Sequence, residues 1–276
     1  MANAPTKPTS PVKTEKPAAS GLFATLTIPI CIVVAILLFT FVLGNESNYA
    51  DGDVEKGVPN FLGTIHRGGH LVPVIMSYLL MVIVFSFERF VVIGKASGTS
   101  NVDIFVRKIQ SLLNAGNIDA ASAECDKQKG SVANVIKSGL KKYRDMEQEH
   151  DLDLDQKSLA IQKDIEEATS LEMPMLEQNL TIIATLVSIG TLTGLLGTVF
   201  GMIAAFAALA TSGAASSTAL SASISEALVN TALGISTSAL SIVMYNVFTS
   251  KIDKLTYAID EAGFSIVQTF AASHKK

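Results

Sequence analysis

From Gln178 to Ser250 the chain carries no ionisable side chain except Glu226 and Tyr245. Nothing else in the sequence constrains the fold as strongly. A helix of about 20 apolar residues crosses the hydrocarbon core of a bilayer, and this run holds two such lengths. They are residues 180–210 and 222–249. Between them, "TSGAASSTALS" (211–221) is small and hydroxyl-rich and reads as a short turn. Two more spans lie upstream, at 22–43 and 71–93. The composition agrees, with 49% hydrophobic and only 17% charged residues. The expected fold is an all-α integral membrane protein with four transmembrane helices.

Lys and Arg set the orientation, because cytoplasmic loops are richer in them. Lys7, Lys13 and Lys16 precede the first span, whereas residues 44–70 hold only Lys56 and Arg67 among several acids. Residues 95–178 are rich in Lys and Arg, the 211–221 turn has none, and Lys251 and Lys254 follow the last span. Both termini and the 95–178 region are therefore expected inside, which suits a bacterial inner membrane. The expected organisation follows from these counts. Residues 1–20 form a disordered tail and 21–44 an extra N-terminal span, taken as an uncleaved anchor rather than a signal peptide. Residues 45–70 form a periplasmic segment and 71–94 the next span. A cytoplasmic helical domain covers 95–178, and spans at 179–210 and 222–249 flank the 211–221 turn. A cytoplasmic helix completes the chain at 250–276.

The polar middle reads as helices. "VDIFVRKIQSLLNAG" has apolar residues at helical spacing and ends at Gly116. "NIDAASAECDKQKG" opens on capping chemistry and ends at Gly130. "DLDLD" (151–155) resembles the start of a calcium loop, but Gln156 and Gln162 stand where that loop needs Gly and Glu. A helix cap is the reading there. His66 and His70 are four apart, but Gly68 and Gly69 interrupt the helix that would align them, so a bland interfacial loop is expected. No nucleophile–base pair, phosphate loop or CxxC motif appears, so the chain reads as neither an enzyme nor a metal or cofactor protein. Cys31 and Cys125 lie in different surroundings and do not read as a pair.

The last two spans carry the chemistry. Gly190, Gly194, Gly197 and Gly201 recur at four-residue steps, and Gly234 lies in the last span. Small residues at that spacing let helix backbones approach closely in lipid. Thr191 and Thr198 share a side of the third span. In the fourth, Glu226, Asn230, Thr237 and Ser241 share one polar stripe, and Thr231, Gly234, Ser238 and Tyr245 an adjacent one. Polar stripes of this kind are expected to face a bundle interior, a cavity or a partner. Glu226, near the outer end, reads as part of an ion path.

"GLLGTVFGMIAAF" (194–206) and "ISEALVNTALGI" (224–235) with "YNVF" (245–248) resemble the two pore-lining helices of the MotA/TolQ/ExbB proton-channel family, most closely its ExbB branch. "FSFERF" (85–90) resembles the end of that family's preceding span. The resemblance implies a three-span core to which this chain adds an N-terminal span. It also implies a homopentamer around a dimer of a single-span, ExbD-like partner whose aspartate carries the ion, and coupling to a TonB-like protein. By motif position, Thr198 and Thr231 fall where the family's pore hydroxyls meet that aspartate, and Glu226 on its acidic residue. Thr191, Asn230, Thr237, Ser238 and Ser241 become pore-lining polar residues, and Tyr245 and Asn246 the inner-end motif. Thr191 and Leu240 stand where relatives usually have proline, so straighter helices are expected. The surplus of hydroxyls leaves sodium open beside protons as the coupling ion. A TolQ-like, gliding or flagellar stator role, or a non-conducting scaffold, remains an alternative.

Overall fold

The computed structural model describes residues 18–54, 57–212 and 217–274. Most of the expected N-terminal tail, and residues 213–216 of the expected turn, lie outside the described residues. The described chain is all-α, with four helical segments long and apolar enough to cross a membrane. In order, the α-helices of the described residues are α1 (Ala18–Leu37), α2 (Phe61–His66), α3 (Val72–Ala96), α4 (Val102–Asn114), α5 (Ile118–Gln128), α6 (Gly130–Gln148), α7 (Leu154–Glu177), α8 (Leu180–Ser212) and α9 (Ser217–Ser273). A short π-helical turn, Leu38–Leu43, extends α1.

Capping chemistry sets the boundaries of the polar domain. Asn101, Asn117 and Asp153 each accept a backbone N–H at the start of α4, α5 and α7. "DLDLD" is indeed a cap: Asp153 accepts from the Gln156 N–H at 2.7 Å, and the Gln156 side chain accepts in return. Gly116 ends α4 at φ +71°, a backbone region a side chain rarely tolerates. The apolar stripes of α4 (Phe105, Ile109, Leu113), α6 (Ile136, Leu140, Tyr143) and α7 (Ile161, Ile165) then close on one core.

Helix α9 supplies the rest of that core. Phe248, Ile252, Leu255, Ile259, Ile266 and Phe270 are all buried, at alternating steps of three and four or close to it. The helix runs unbroken for 57 residues, about 85 Å at 1.5 Å per residue. Only about 30 Å of that crosses a bilayer. The expected division at 249/250 is therefore not a break in structure. The same helix that spans the membrane is the central strut of the polar domain. Helix also extends into the expected 211–221 turn from both ends, with α8 continuing through Ser212 and α9 beginning at Ser217. Small residues such as alanine and serine prolong a helix as readily as they make a loop.

Helix α1 lies on α3 through Thr27, Cys31 and Ala35, a buried stripe one residue wide at four-residue spacing, with Phe23 edge-on to Phe85 at 6.2 Å. Most of its other described side chains are exposed and apolar, among them Leu26, Ile30, Val33 and Ile36. This suits a helix bounded by one protein neighbour and lipid.

Candidate functional site

Helices α8 and α9 form an antiparallel hairpin whose seam is built from glycine. A Cβ on Gly197 would lie 2.5 Å from that of Asn230, and one on Gly201 2.6 Å from that of Ala227. A Cβ on Gly194 would meet the Asn230 carbonyl at 3.1 Å, and one on Gly190 the Ser238 hydroxyl at 2.8 Å. Gly234 is tightest against backbone, 2.6 Å from the Gly190 carbonyl. Between helices in lipid, dispersion and short hydrogen bonds replace the hydrophobic drive, so such approach is what holds the pair.

Hydroxyls stitch the same seam. Thr191 donates to Ser238 at 2.7 Å, and Ser238 donates to the Val187 carbonyl at 2.6 Å. Thr237 and Ser241 donate to carbonyls of their own helix. Asn230, Thr237, Ser238 and Ser241 are all buried within the single chain. These four, expected as pore-lining polar residues, pack against neighbours within the single chain. An α-helical stripe cannot reveal from sequence whether its partner belongs to the same chain. Thr191 is half-buried at the edge of the seam.

Thr198 and Thr231 differ from those four, because both remain partly exposed. Thr198 donates to the Leu195 carbonyl at 2.6 Å, and Thr231 to the Gly194 carbonyl at 3.1 Å. The Thr231 carbon backbone faces Gly194, so Thr198 sits one turn further along α8. A hydroxyl that donates to a backbone carbonyl keeps its oxygen lone pairs free to accept. It can accept from a protonated carboxyl, or rotate and donate to a carboxylate. No carboxylate of this chain lies in the middle of the hairpin.

Glu226 is one turn outward from Asn230 and half-buried, against the turn Gly68–Gly69. At the opposite end, Tyr245 borders a cavity of about 420 Å³ with Glu177, Thr181, Thr249 and Asp253, while Asn246 is exposed. No ionisable side chain occupies the described hairpin between Glu226 and Tyr245.

The segment before α3 is not the bland loop expected. It folds into a cap over the ends of the spans. Asn48 donates to the Val42 and Leu43 carbonyls that end the first span. Asn60 donates to Asn48, and the Tyr49 hydroxyl pairs with His66 Nδ1 at 2.7 Å. The His66 ring also lies 4.6 Å from that of Phe39, and Arg67 donates to the Val54 and Gly57 carbonyls. The cap's hydrogen-bonding partners come from positions 5 to 17 residues apart. No periodic pattern announces them in the sequence.

Burial, with the Arg67 charge adding to it, holds the His66 imidazole below the ordinary value of 6.5. A folded-state pKa below the unfolded one means that the unfolded chain binds more protons. The stabilisation is therefore present above pH 6.5 and is lost as pH falls through the lowered value. Amide exchange in residues 57–71, taken relative to the intrinsic rate at each pH, is expected to speed up as the pH is lowered below 6.5. In His66→Phe that acceleration should vanish, and persistence of the pH response there would exclude His66 as its source.

At the other end of α3, sequence reasoning noticed the charged pair Glu88–Arg89 but not its role. Arg89 is 1% exposed. Its guanidinium pairs with Glu88, and Nη1 donates to the Met175 and Leu176 carbonyls at 3.0 and 3.2 Å. Those are among the last carbonyls of α7, which have no partner within the helix. Asn179, in the left-handed region at φ +63°, makes the bend into α8 and donates to Glu88. One clasp thus fixes the angle at which α8 leaves the polar domain.

No curated protein matches the chain. Residues 127–261, just under half of its length, match the MotA/TolQ/ExbB proton channel family, and that stretch contains α8 and α9 as far as Glu261.

Proposed function

We propose that the chain is the ring-forming subunit of an ion-driven membrane motor, of the ExbB type. The observation that carries this reading is the hairpin itself. It offers two partly exposed hydroxyls, Thr198 and Thr231, in a span with no central carboxylate. Such a surface is half of an ion machine, and the other half is a carboxylate on a second protein. Five copies would surround a dimer of an ExbD-like, single-span protein, with Thr198 and Thr231 facing its aspartate. The transported ion is a proton, with sodium as the competing cation. Moving one charge across 100 mV yields about 2.3 kcal/mol, which the assembly would pass to a TonB-like protein for outer-membrane transport. The polar domain and both termini then lie in the cytoplasm and the cap in the periplasm, in a bacterial inner membrane. Glu226 sits at the outer mouth, and Tyr245 and Asn246 at the inner.

Native mass spectrometry of the purified complex tests the assembly, with five of these chains to two small aspartate-bearing partners as the expected ratio. Thr231→Ala and Thr198→Ala are expected to assemble normally and lower ion flux in proteoliposomes about tenfold each, the effect of losing one hydrogen bond of about 1.4 kcal/mol. Unchanged flux in both variants would take Thr198 and Thr231 off the ion path, and no flux through the unsubstituted complex would leave only a scaffold.

A further inference from the structure

We propose that a water-filled route enters each single chain at the cap, passes Glu226 and ends on Asn230. Its use for protons rests on the motor reading above; the route itself does not.

The outer part of the route is a cavity of about 250 Å³ between the cap and α9, walled by Thr64, Arg67, Ser223, Ser225 and Glu226. With about 30 Å³ per water it holds several, and its wall carries fixed charges of both signs and three hydroxyls. A cavity of that chemistry is wet. It is shaped by the cap, because Arg67 is tied to the Val54 and Gly57 carbonyls.

The inner end is an unpaired acceptor. Asn230 is 1% exposed, and its Nδ2 donates to the Gly68 carbonyl at 2.9 Å. Its Oδ1 is buried and meets no donor. Flipping the amide does not help, since two oxygens would then face each other at Gly68. A buried acceptor of this kind takes a water. Glu226 and Asn230 are four residues apart on one helix face, and both lie against the same turn, with Glu226 on Gly69 and Asn230 on Gly68. The wall of the cavity ends at Glu226, and the unpaired oxygen lies one helical turn beyond it on α9. Gly197 of α8 backs Asn230 directly, so the route ends at the seam that carries Thr198 and Thr231.

The route is testable without any ion flux. In the full chain with Cys31→Ala and Cys125→Ala, single cysteines are placed at Ser225, Asn230 and Ser238. A small cationic methanethiosulfonate is added to the cap side of intact membranes. Such reagents react with the thiolate, which forms only in water. Asn230→Cys is expected to react at least tenfold faster than Ser238→Cys, which sits in the fully bonded seam, and Ser225→Cys faster still. Because Asn230→Cys removes the amide, hydroxyl-radical footprinting of the unsubstituted chain provides the second reading. Val229, beside Gly68, should oxidise several-fold faster than Val187, a half-buried valine in the seam. Equal rates for either pair overturn the proposal. In proteoliposomes with the partner bound, Asn230→Leu should reduce proton flux. If the chain labels as expected but the wild-type complex passes no protons, the motor reading fails and the route stands. If protons pass while neither Asn230→Cys nor Val229 reacts, the route fails and the motor reading stands.

Discussion

Arg89→Leu is expected to destabilise the chain by about 3–5 kcal/mol, the cost of removing one partner from a buried ion pair. The loss has two parts. Glu88 is left without its cation, and the Met175 and Leu176 carbonyls lose the only side-chain donor they have among the described contacts. Spread over a chain of this size, that lowers the apparent unfolding temperature by about 10 °C. The measurement is a thermal scan of the purified, detergent-solubilised chain. Removing both charges separates the two parts. Glu88→Leu combined with Arg89→Leu should recover about half the loss, since a buried pair replaced by apolar groups is often neutral. If the double variant recovers nothing, the carbonyl contacts at the end of α7 carry the whole effect. A single-variant loss below 1 kcal/mol would mean that the clasp does not set the α7–α8 bend.

Gly234→Ala should be the second severe change, although it adds one methyl group. The new Cβ would lie 2.6 Å from the Gly190 carbonyl oxygen and 2.8 Å from the Gly194 Cα. Both are backbone atoms, so no side chain can rotate away, and α8 must move as a body. Overpacking of this kind costs about 1–3 kcal/mol. It also breaks the register that pairs Thr231 with Gly194 and Ser238 with Thr191. Gly94→Ala is the control. That glycine lies inside α3 with nothing within 4 Å of the added atom, so its substitution should stabilise by about 0.5–1 kcal/mol through helix propensity. Opposite signs in the same melting assay are the expected result. A neutral Gly234→Ala would show that the seam is looser than its geometry implies.

The two substitutions differ in how much of their effect the sequence foretold. The repeated glycines of α8 announced close packing, because helical spacing puts them on one face. Their partner helix was also foreseeable, since a short link leaves α9 little choice but to return alongside. The Arg89 clasp was not. A charged pair at the end of a span reads equally well as an interfacial anchor, and its partners lie 86 and 87 residues away. The polar stripe of α9 falls between these cases. Its existence was legible, but its division was not. Asn230, Thr237, Ser238 and Ser241 point into the chain, while Thr231 keeps an open edge.

The sequence by itself determined the spans, the caps of the polar helices and the absence of a carboxylate at the centre of the hairpin. Each follows from local rules of hydropathy, helical period or end chemistry that need no distant partner. Only the tertiary structure decided that α9 is one continuous strut and that residues 44–54 and 57–71 fold into a cap over the span ends. It also turned Arg89 inward and left the Asn230 oxygen without a donor. Those features depend on which backbone atoms come within hydrogen-bonding distance once the helices pack, and no local pattern encodes that.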